Sequence, residues 1–368
     1  MSDAAGERAR RWVRADIQAL RAYPVAAAEG RIKLDAMESP WPWPGDDLPA
    51  WQRAWEGVAL NRYPDPGAGE LKARLREAHG IPDGAQVLTG NGSDELIQLM
   101  NLALAGAGRT VTAPGPSFSM YEIIARITGS RFREVPLDGA FDLDVDAFVA
   151  AGGEDPPAVT YLAHPNNPTG NGLSPDRVEA LIERTDGLVV VDEAYAAYAG
   201  HTFLPRVLEF PNLVVLRTLS KVGLAGLRVG YLAGAPAWVE ELEKCRLPYN
   251  LGTPAQLGAA LALERSESLS AGVEAVLAQR ARLAQRLADV DGVNEVLPSQ
   301  TNFVTFRVGP GRAAEVHEGL GERGVLIKKL DGSHPRLADC LRVTVGAPAE
   351  NDAFLDALRA ALSDPSTR

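Results

Sequence analysis

The sequence predicts an α/β protein: a large, mostly parallel sheet between two layers of helices (α/β/α), with a smaller α+β unit built from both chain ends. Three observations predict it. Across residues 86–234, short apolar runs alternate with longer segments of helical periodicity, the pattern that strand–helix–strand crossovers leave in a sequence. Beyond Gly252-Thr253-Pro254 the pattern changes to long helices and scattered strands. The polar motifs of the central stretch fall where its strands end, the edge at which such sheets bind ligands.

In chain order, residues 7–23 are Arg-rich and roughly amphipathic but lack an apolar core segment or small-residue cleavage site, so they read as a helical arm. Residues 38–55 carry Trp41, Trp43, Trp51 and Trp55 among several prolines and read as an irregular entry whose tryptophans pack. Residues 87–89, 110–112, 158–163, 188–191, 213–216 and 229–233 are predicted strands. Residues 94–104, 117–128 and 175–185 have apolar residues at helical spacing. The later part reads as a helix over 270–290, strands over 302–308, 325–330 and 340–345, a helix over 313–323 and a last one from about Pro348. The predicted division is an arm and part of the small domain over 1–39, a large domain over 40–265 and a small C-terminal domain over 266–368.

With 368 residues, 46% of them hydrophobic, the chain is long enough to bury a large core. A net charge of −11 argues against nucleic acid as a partner. No apolar run approaches the roughly 20 residues that span a bilayer. A small molecule is the expected partner and the cytoplasm the expected compartment. Cys245 and Cys340 have neither CxxC spacing nor histidine companions, so they read as reduced core thiols, and no metal is expected.

The chemistry concentrates in four segments. Arg217-Thr218-Leu219-Ser220-Lys221 follows a strand, with Arg228 seven residues after the lysine. Partial desolvation and a nearby cation lower the pKa of a lysine and favour its nucleophilic amine. Asp192 closes an apolar run and Tyr195 lies three residues on; Asn167 follows another strand. An amine, an acid, a phenol, an amide and a guanidinium together suit pyridoxal 5'-phosphate: Lys221 for its aldehyde, Asp192 for its ring nitrogen, Asn167 and Tyr195 for its ring oxygen. Gly90-Asn91-Gly92-Ser93-Asp94-Glu95 joins a strand to a helix. Its amides and the Ser93 hydroxyl can receive a phosphate, closed on the other side by Ser220 and Arg228, or serve only as a helix cap. Phe118 either stacks on the ring or is ordinary core. Arg342 sits within the run Cys340-Leu341-Arg342-Val343, where a guanidinium needs an anion, whether a structural partner or a substrate carboxylate.

These residues carry a resemblance. The chain resembles the histidinol-phosphate aminotransferase family, pyridoxal-phosphate enzymes of fold type I in the aspartate aminotransferase superfamily. The likeness rests on Tyr23-Pro24, Leu34-Asp35-Ala36-Met37-Glu38-Ser39-Pro40, Arg62-Tyr63-Pro64-Asp65, Gly92-Ser93-Asp94-Glu95, Pro248-Tyr249-Asn250, Leu341-Arg342-Val343 and the segments 165–170, 191–195, 217–221 and 224–230. It implies transamination between histidinol phosphate and 2-oxoglutarate in histidine biosynthesis. Lys221 would be the covalent anchor and proton carrier, with Asp192 and Tyr195 as its catalytic companions. Ser93, Asp94, Glu95, Phe118, Asn167, Ser220 and Arg228 would complete the cofactor site. Tyr63 would reach the cofactor phosphate of a second subunit, which implies a homodimer. Arg342, Lys328, Tyr23 and Asn167 would bind substrate. Departures from the family pattern are Phe118 for a common aromatic hydroxyl, His164 for Asn or Ser, Met37-Glu38-Ser39-Pro40 near the N-terminus, and Lys328 for a frequent Arg. His164 reads as a structural histidine, since Lys221 already supplies the base. Alternatives within the fold are an aminotransferase for aromatic or other amino acids and a threonine-phosphate decarboxylase.

Overall fold

The computed structural model describes residues 4–22, 27–43, 45–106 and 108–363. A short strand, Ile32–Lys33 (β1), precedes the large sheet. That sheet comprises Gln86–Asn91 (β2), Thr110–Gly115 (β3), Arg131–Pro136 (β4), Val159–Ala163 (β5), Leu188–Asp192 (β6), Leu213–Thr218 (β7) and Val229–Gly234 (β8). Its order is β2-β8-β7-β6-β5-β3-β4, with β8 alone antiparallel to its neighbours. The C-terminal ends of β2, β3, β5, β6 and β7 therefore share one edge.

Period-two alternation divides the apolar runs between two cores. Val189, Val191 and Val215 face one layer of helices, and Leu188, Val190 and Val214 the other. Burial on both faces is why these strands read as unbroken apolar runs. Strand β4 was not predicted: it is an edge strand, mostly solvent-facing, and Arg131, Arg133 and Glu134 break the apolar pattern. Residues 38–55 are also more regular than expected, since Leu48–Glu56 is a helix with Pro49 in its first turn, where a missing N–H costs no hydrogen bond. Trp51 packs edge-on against Trp43 and Trp55, at 5.5 and 5.4 Å.

A four-stranded antiparallel sheet follows, formed by Val293–Val296 (β9), Phe303–Val308 (β10), Lys328–Lys329 (β12) and Cys340–Thr344 (β13), while Val325–Leu326 (β11) pairs with β1 in parallel. The order of the four is β12-β13-β10-β9. The predicted strand over 325–330 is thus two strands in different sheets. Leu34 and Met37 join the core of this smaller sheet. The arm behaves otherwise: its helices Ala4–Trp12 and Ala15–Gln18 expose nearly all their residues, and Arg14 donates to the carbonyls of Arg126 and Ile127, behind the large sheet. Of the two thiols, Cys340 is buried, as expected, but Cys245 is exposed, because it lies just past the solvent-facing end of the helix Pro236–Glu243.

The two sheets meet along the shared edge. Thr305 donates its hydroxyl to the Pro168 carbonyl, and Gln300 N–H to that of Gly170 at 2.7 Å. Met37, in the left-handed region at φ 55°, is pinned by Thr344 Oγ1 at 2.9 Å and by the Asn302 amide at 2.8 Å.

Candidate active site

A cleft with about 550 Å³ of space, part of it open to solvent, lies at this edge. Strand ends deliver its polar groups: Asp192 closes β6, Ser220 and Lys221 follow β7, Asn167 follows β5, and Ser93 begins the helix after β2. Asp94, Phe118, Tyr195 and Arg228 line it as well, as expected.

The Lys221 amine donates to the Ala36 carbonyl at 3.4 Å and lies 5.9 Å from the Tyr195 ring centre. Burial, reinforced by the Arg342 and Arg228 charges, pushes its pKa down to about 8. The amine therefore gives up its proton near neutral pH far more readily than an ordinary lysine, and a minor but sizeable share of it is neutral there. Asp192 is only 4% exposed. Its Oδ2 accepts from the Tyr121 hydroxyl at 2.8 Å and its Oδ1 from the Ala194 N–H at 3.1 Å. Burial pushes its pKa up to about 6 while those donors pull it back, leaving a carboxylate at neutral pH. Burial also raises the Tyr195 phenol above its ordinary value, so it stays a donor.

Opposite the lysine, Arg228 Nη1 donates to Ser220 Oγ at 3.2 Å. Two glycines let this corner close. Gly92 sits at φ +84°, and a Cβ there would fall 2.5 Å from Arg228 Nη2; a Cβ on Gly230 would fall 2.6 Å from the Ser93 amide nitrogen. A guanidinium, a hydroxyl and the start of the helix Ser93–Met100 lie together on the cavity wall, a donor set suited to an oxyanion. Amine, carboxylate, phenol and anion pocket in one cavity fit pyridoxal phosphate in both charge and donor type.

Arg342 is 7% exposed on β13. Its Nη1 donates to Asn167 Oδ1 at 2.5 Å and its Nη2 to the Asp35 carbonyl at 3.1 Å. Because arginine only donates, Asn167 must present its oxygen to it and keeps its NH₂ for another acceptor. A second space of about 880 Å³ adjoins the first through Met37, Phe118 and Asn167, and Arg342 and Lys328 line it. Lys328 stands opposite Arg342 in the β12–β13 register, so two cations share that wall.

Two expected residues lie elsewhere, Glu95 and Tyr63. Glu95 turns away from the cavity: its Oε2 accepts from the Asn91 N–H and, at 2.8 Å, from Asn250 Nδ2, so its carboxylate ties the loop to the helix. Tyr63 is exposed and stacks on Tyr249, with ring centres 4.4 Å apart. Tyr23 lies outside the described residues. His164 is buried, and its Nδ1 accepts from the Leu173 N–H at 3.1 Å. Burial pushes its pKa down to about 4, so it is neutral. Two contributors were missed. Tyr121 is three residues past Phe118, and that helical spacing could have revealed it; the Ala36 carbonyl is a backbone group with no sequence signature.

The family model for aminotransferase class I and II matches residues 44–358. The chain belongs to this family. It is 48% identical over 354 residues to histidinol-phosphate aminotransferase 2 of Nitrosococcus oceani, covering 96% of this chain and 98% of that protein. Its structure is similar to that of histidinol-phosphate aminotransferase from Sinorhizobium meliloti in complex with pyridoxal-5'-phosphate, with a TM-score of 0.85, 27% identity, and 95% and 97% of the two chains covered. L-threonine-O-3-phosphate decarboxylase from Porphyromonas gingivalis shares the fold at a TM-score of 0.75, with 24% identity and coverage of 90% and 99%.

Proposed function

We propose that this chain is a pyridoxal-phosphate-dependent aminotransferase that exchanges the amino group of histidinol phosphate with 2-oxoglutarate, giving imidazole-acetol phosphate and glutamate, in histidine biosynthesis. The observation that carries the reading is a buried lysine, its pKa lowered to about 8, sharing one cavity with a buried carboxylate. The names of relatives matched over nearly the whole chain support the substrate. When bound, the cofactor supplies an aldehyde to carry the amino group and a protonated ring to hold an electron pair. Lys221 holds that aldehyde and then moves a proton at the substrate α-carbon. Asp192 supports the ring nitrogen, while Tyr195 and the Asn167 amide donate to the ring oxygen. Ser93, Ser220 and Arg228 hold the cofactor phosphate, with Phe118 against the ring. Arg342 receives a carboxylate, and Lys328 helps to hold the substrate phosphate.

The active form proposed is a cytoplasmic homodimer in which Tyr63 reaches the cofactor phosphate of the second copy. Its support is the exposed apolar group Leu60, Tyr63, Leu247 and Tyr249. A panel of amino donors assayed against 2-oxoglutarate tests the substrate. Histidinol phosphate should be used far faster than phenylalanine. Equal rates would favour an aminotransferase for aromatic amino acids, and release of carbon dioxide without consumption of the ketoacid would favour a decarboxylase.

A further inference from the structure

We propose that Tyr121 is a positioning residue that aims the Asp192 carboxylate at the cofactor ring nitrogen and preserves its charge there. The inference rests on the cofactor reading above and extends it to a residue outside the motif set.

The geometry assigns this role through one hydrogen bond and two ring contacts. Tyr121 is fully buried in the helix Met120–Thr128. Its ring lies flat on Tyr161, with centres 4.8 Å apart and planes 6° apart, and meets Phe118 edge-on at 5.5 Å. A phenol held in such a stack has little freedom to swing. Its oxygen therefore stays where it is, 2.8 Å from Asp192 Oδ2. A buried hydroxyl is costly unless bonded, and here the bond goes to the carboxylate.

The electrostatics run in the same direction. Burial drives Asp192 towards its neutral form, and the Tyr121 bond is the largest influence opposing that. Burial and the Asp192 charge hold the Tyr121 phenol well above its ordinary pKa, so it remains a donor at neutral pH. A neutral Asp192 could not balance a protonated ring nitrogen. Tyr121 also touches Phe118, the expected ring-stacking residue, so one side chain positions both the face and the nitrogen end of the cofactor site.

The test compares Tyr121→Phe with Tyr161→Phe in the full chain; the second removes a buried hydroxyl from the same stack without touching Asp192. Two quantities are read: the pyridoxal phosphate dissociation constant of the apoprotein, and the pH titration of the bound cofactor's absorbance. Tyr121→Phe should weaken binding about tenfold, the size of one charge-assisted hydrogen bond, and shift the spectral titration by about one pH unit. Tyr161→Phe should change neither. In an Asp192→Asn background the Tyr121 substitution should cost nothing further. Unchanged binding and titration in Tyr121→Phe would overturn the inference, as would equal changes in both variants. If Tyr121→Phe fails to fold, 4-aminophenylalanine at position 121, whose amine reaches as far as the phenol and still donates, takes its place. A native-like spectral titration would then support the role and a shifted one would overturn it. Failure of the unsubstituted protein to bind pyridoxal phosphate would instead overturn the cofactor reading itself, and this inference with it.

Discussion

Gly230→Ala probes the anion pocket without removing any polar group. Gly230 lies opposite Gly90 in the β2–β8 register. A Cβ built there falls 2.5 Å from the Gly92 carbonyl carbon, 2.6 Å from the Ser93 nitrogen and 2.9 Å from the Gly92 oxygen. Every one of these is a backbone atom, so no rotamer change relieves the contact. Carbon contacts are comfortable at about 3.5–4.0 Å, which requires the start of the Ser93–Met100 helix to retreat by about 1 Å. Overpacking of this kind costs about 1–3 kcal/mol. If the strain falls on the pocket, cofactor affinity drops roughly 5- to 150-fold. Titration of apoprotein with pyridoxal phosphate, followed by absorbance, measures it. Gly226→Ala is the control, since its Cβ would meet nothing within 4 Å. Equal affinities for Gly230→Ala and the native protein would refute the claim that this close approach builds the phosphate site.

Arg342→Lys keeps a charge but loses the planar fork; it should lower kcat/KM for 2-oxoglutarate by about 1.5–3 kcal/mol in transition-state binding while cofactor affinity holds. Unchanged steady-state kinetics would remove Arg342 from substrate binding. Arg217 donates to Glu193 Oε2 at 2.7 Å, and the Glu193 side chain is completely buried. Arg217→Met should therefore destabilise the fold by about 3–5 kcal/mol in chemical denaturation, and a loss below 1 kcal/mol would contradict the pairing. Burial holds His79 and His164 each at about 4. The unfolded chain therefore takes up protons below about pH 6.5 that the native chain refuses, so stability falls as pH drops from there towards 4. Asp192, held at about 6 by burial, acts oppositely because its native form is protonated first. At pH 5 two histidines against one carboxylate leave about one extra proton on the unfolded chain, a slope of about 1.4 kcal/mol per pH unit. Urea midpoints between pH 5 and 6 should rise with pH, and a flat or falling profile would sink the assignment.

The sequence revealed the central strands because residues such as Leu188–Asp192 are buried on both faces and had to be apolar throughout. It concealed β4, where one side of the strand has no partner and the charged Arg131, Arg133 and Glu134 interrupt the apolar pattern. The site was legible to the extent that its chemistry sits at strand ends: Asp192 closes an apolar run, and Lys221, Asn167 and Ser93 come just after others. Glu95 shows the limit of that reasoning. It shares a motif with Ser93 and Asp94, yet helical geometry turns its carboxylate back to Asn91 and across to Asn250. Tyr121 shows the converse, because its importance depends on a partner 71 positions away, which local spacing does not encode.

The most direct measurement is borohydride reduction of the cofactor-loaded protein followed by peptide mapping. Reduction should bleach the bound cofactor's colour and leave a single phosphopyridoxyl group on Lys221, and Lys221→Ala should take up none. A label on another lysine, or a Lys221→Ala protein that still turns over at the native rate, would contradict the assignment of this cavity as the catalytic centre.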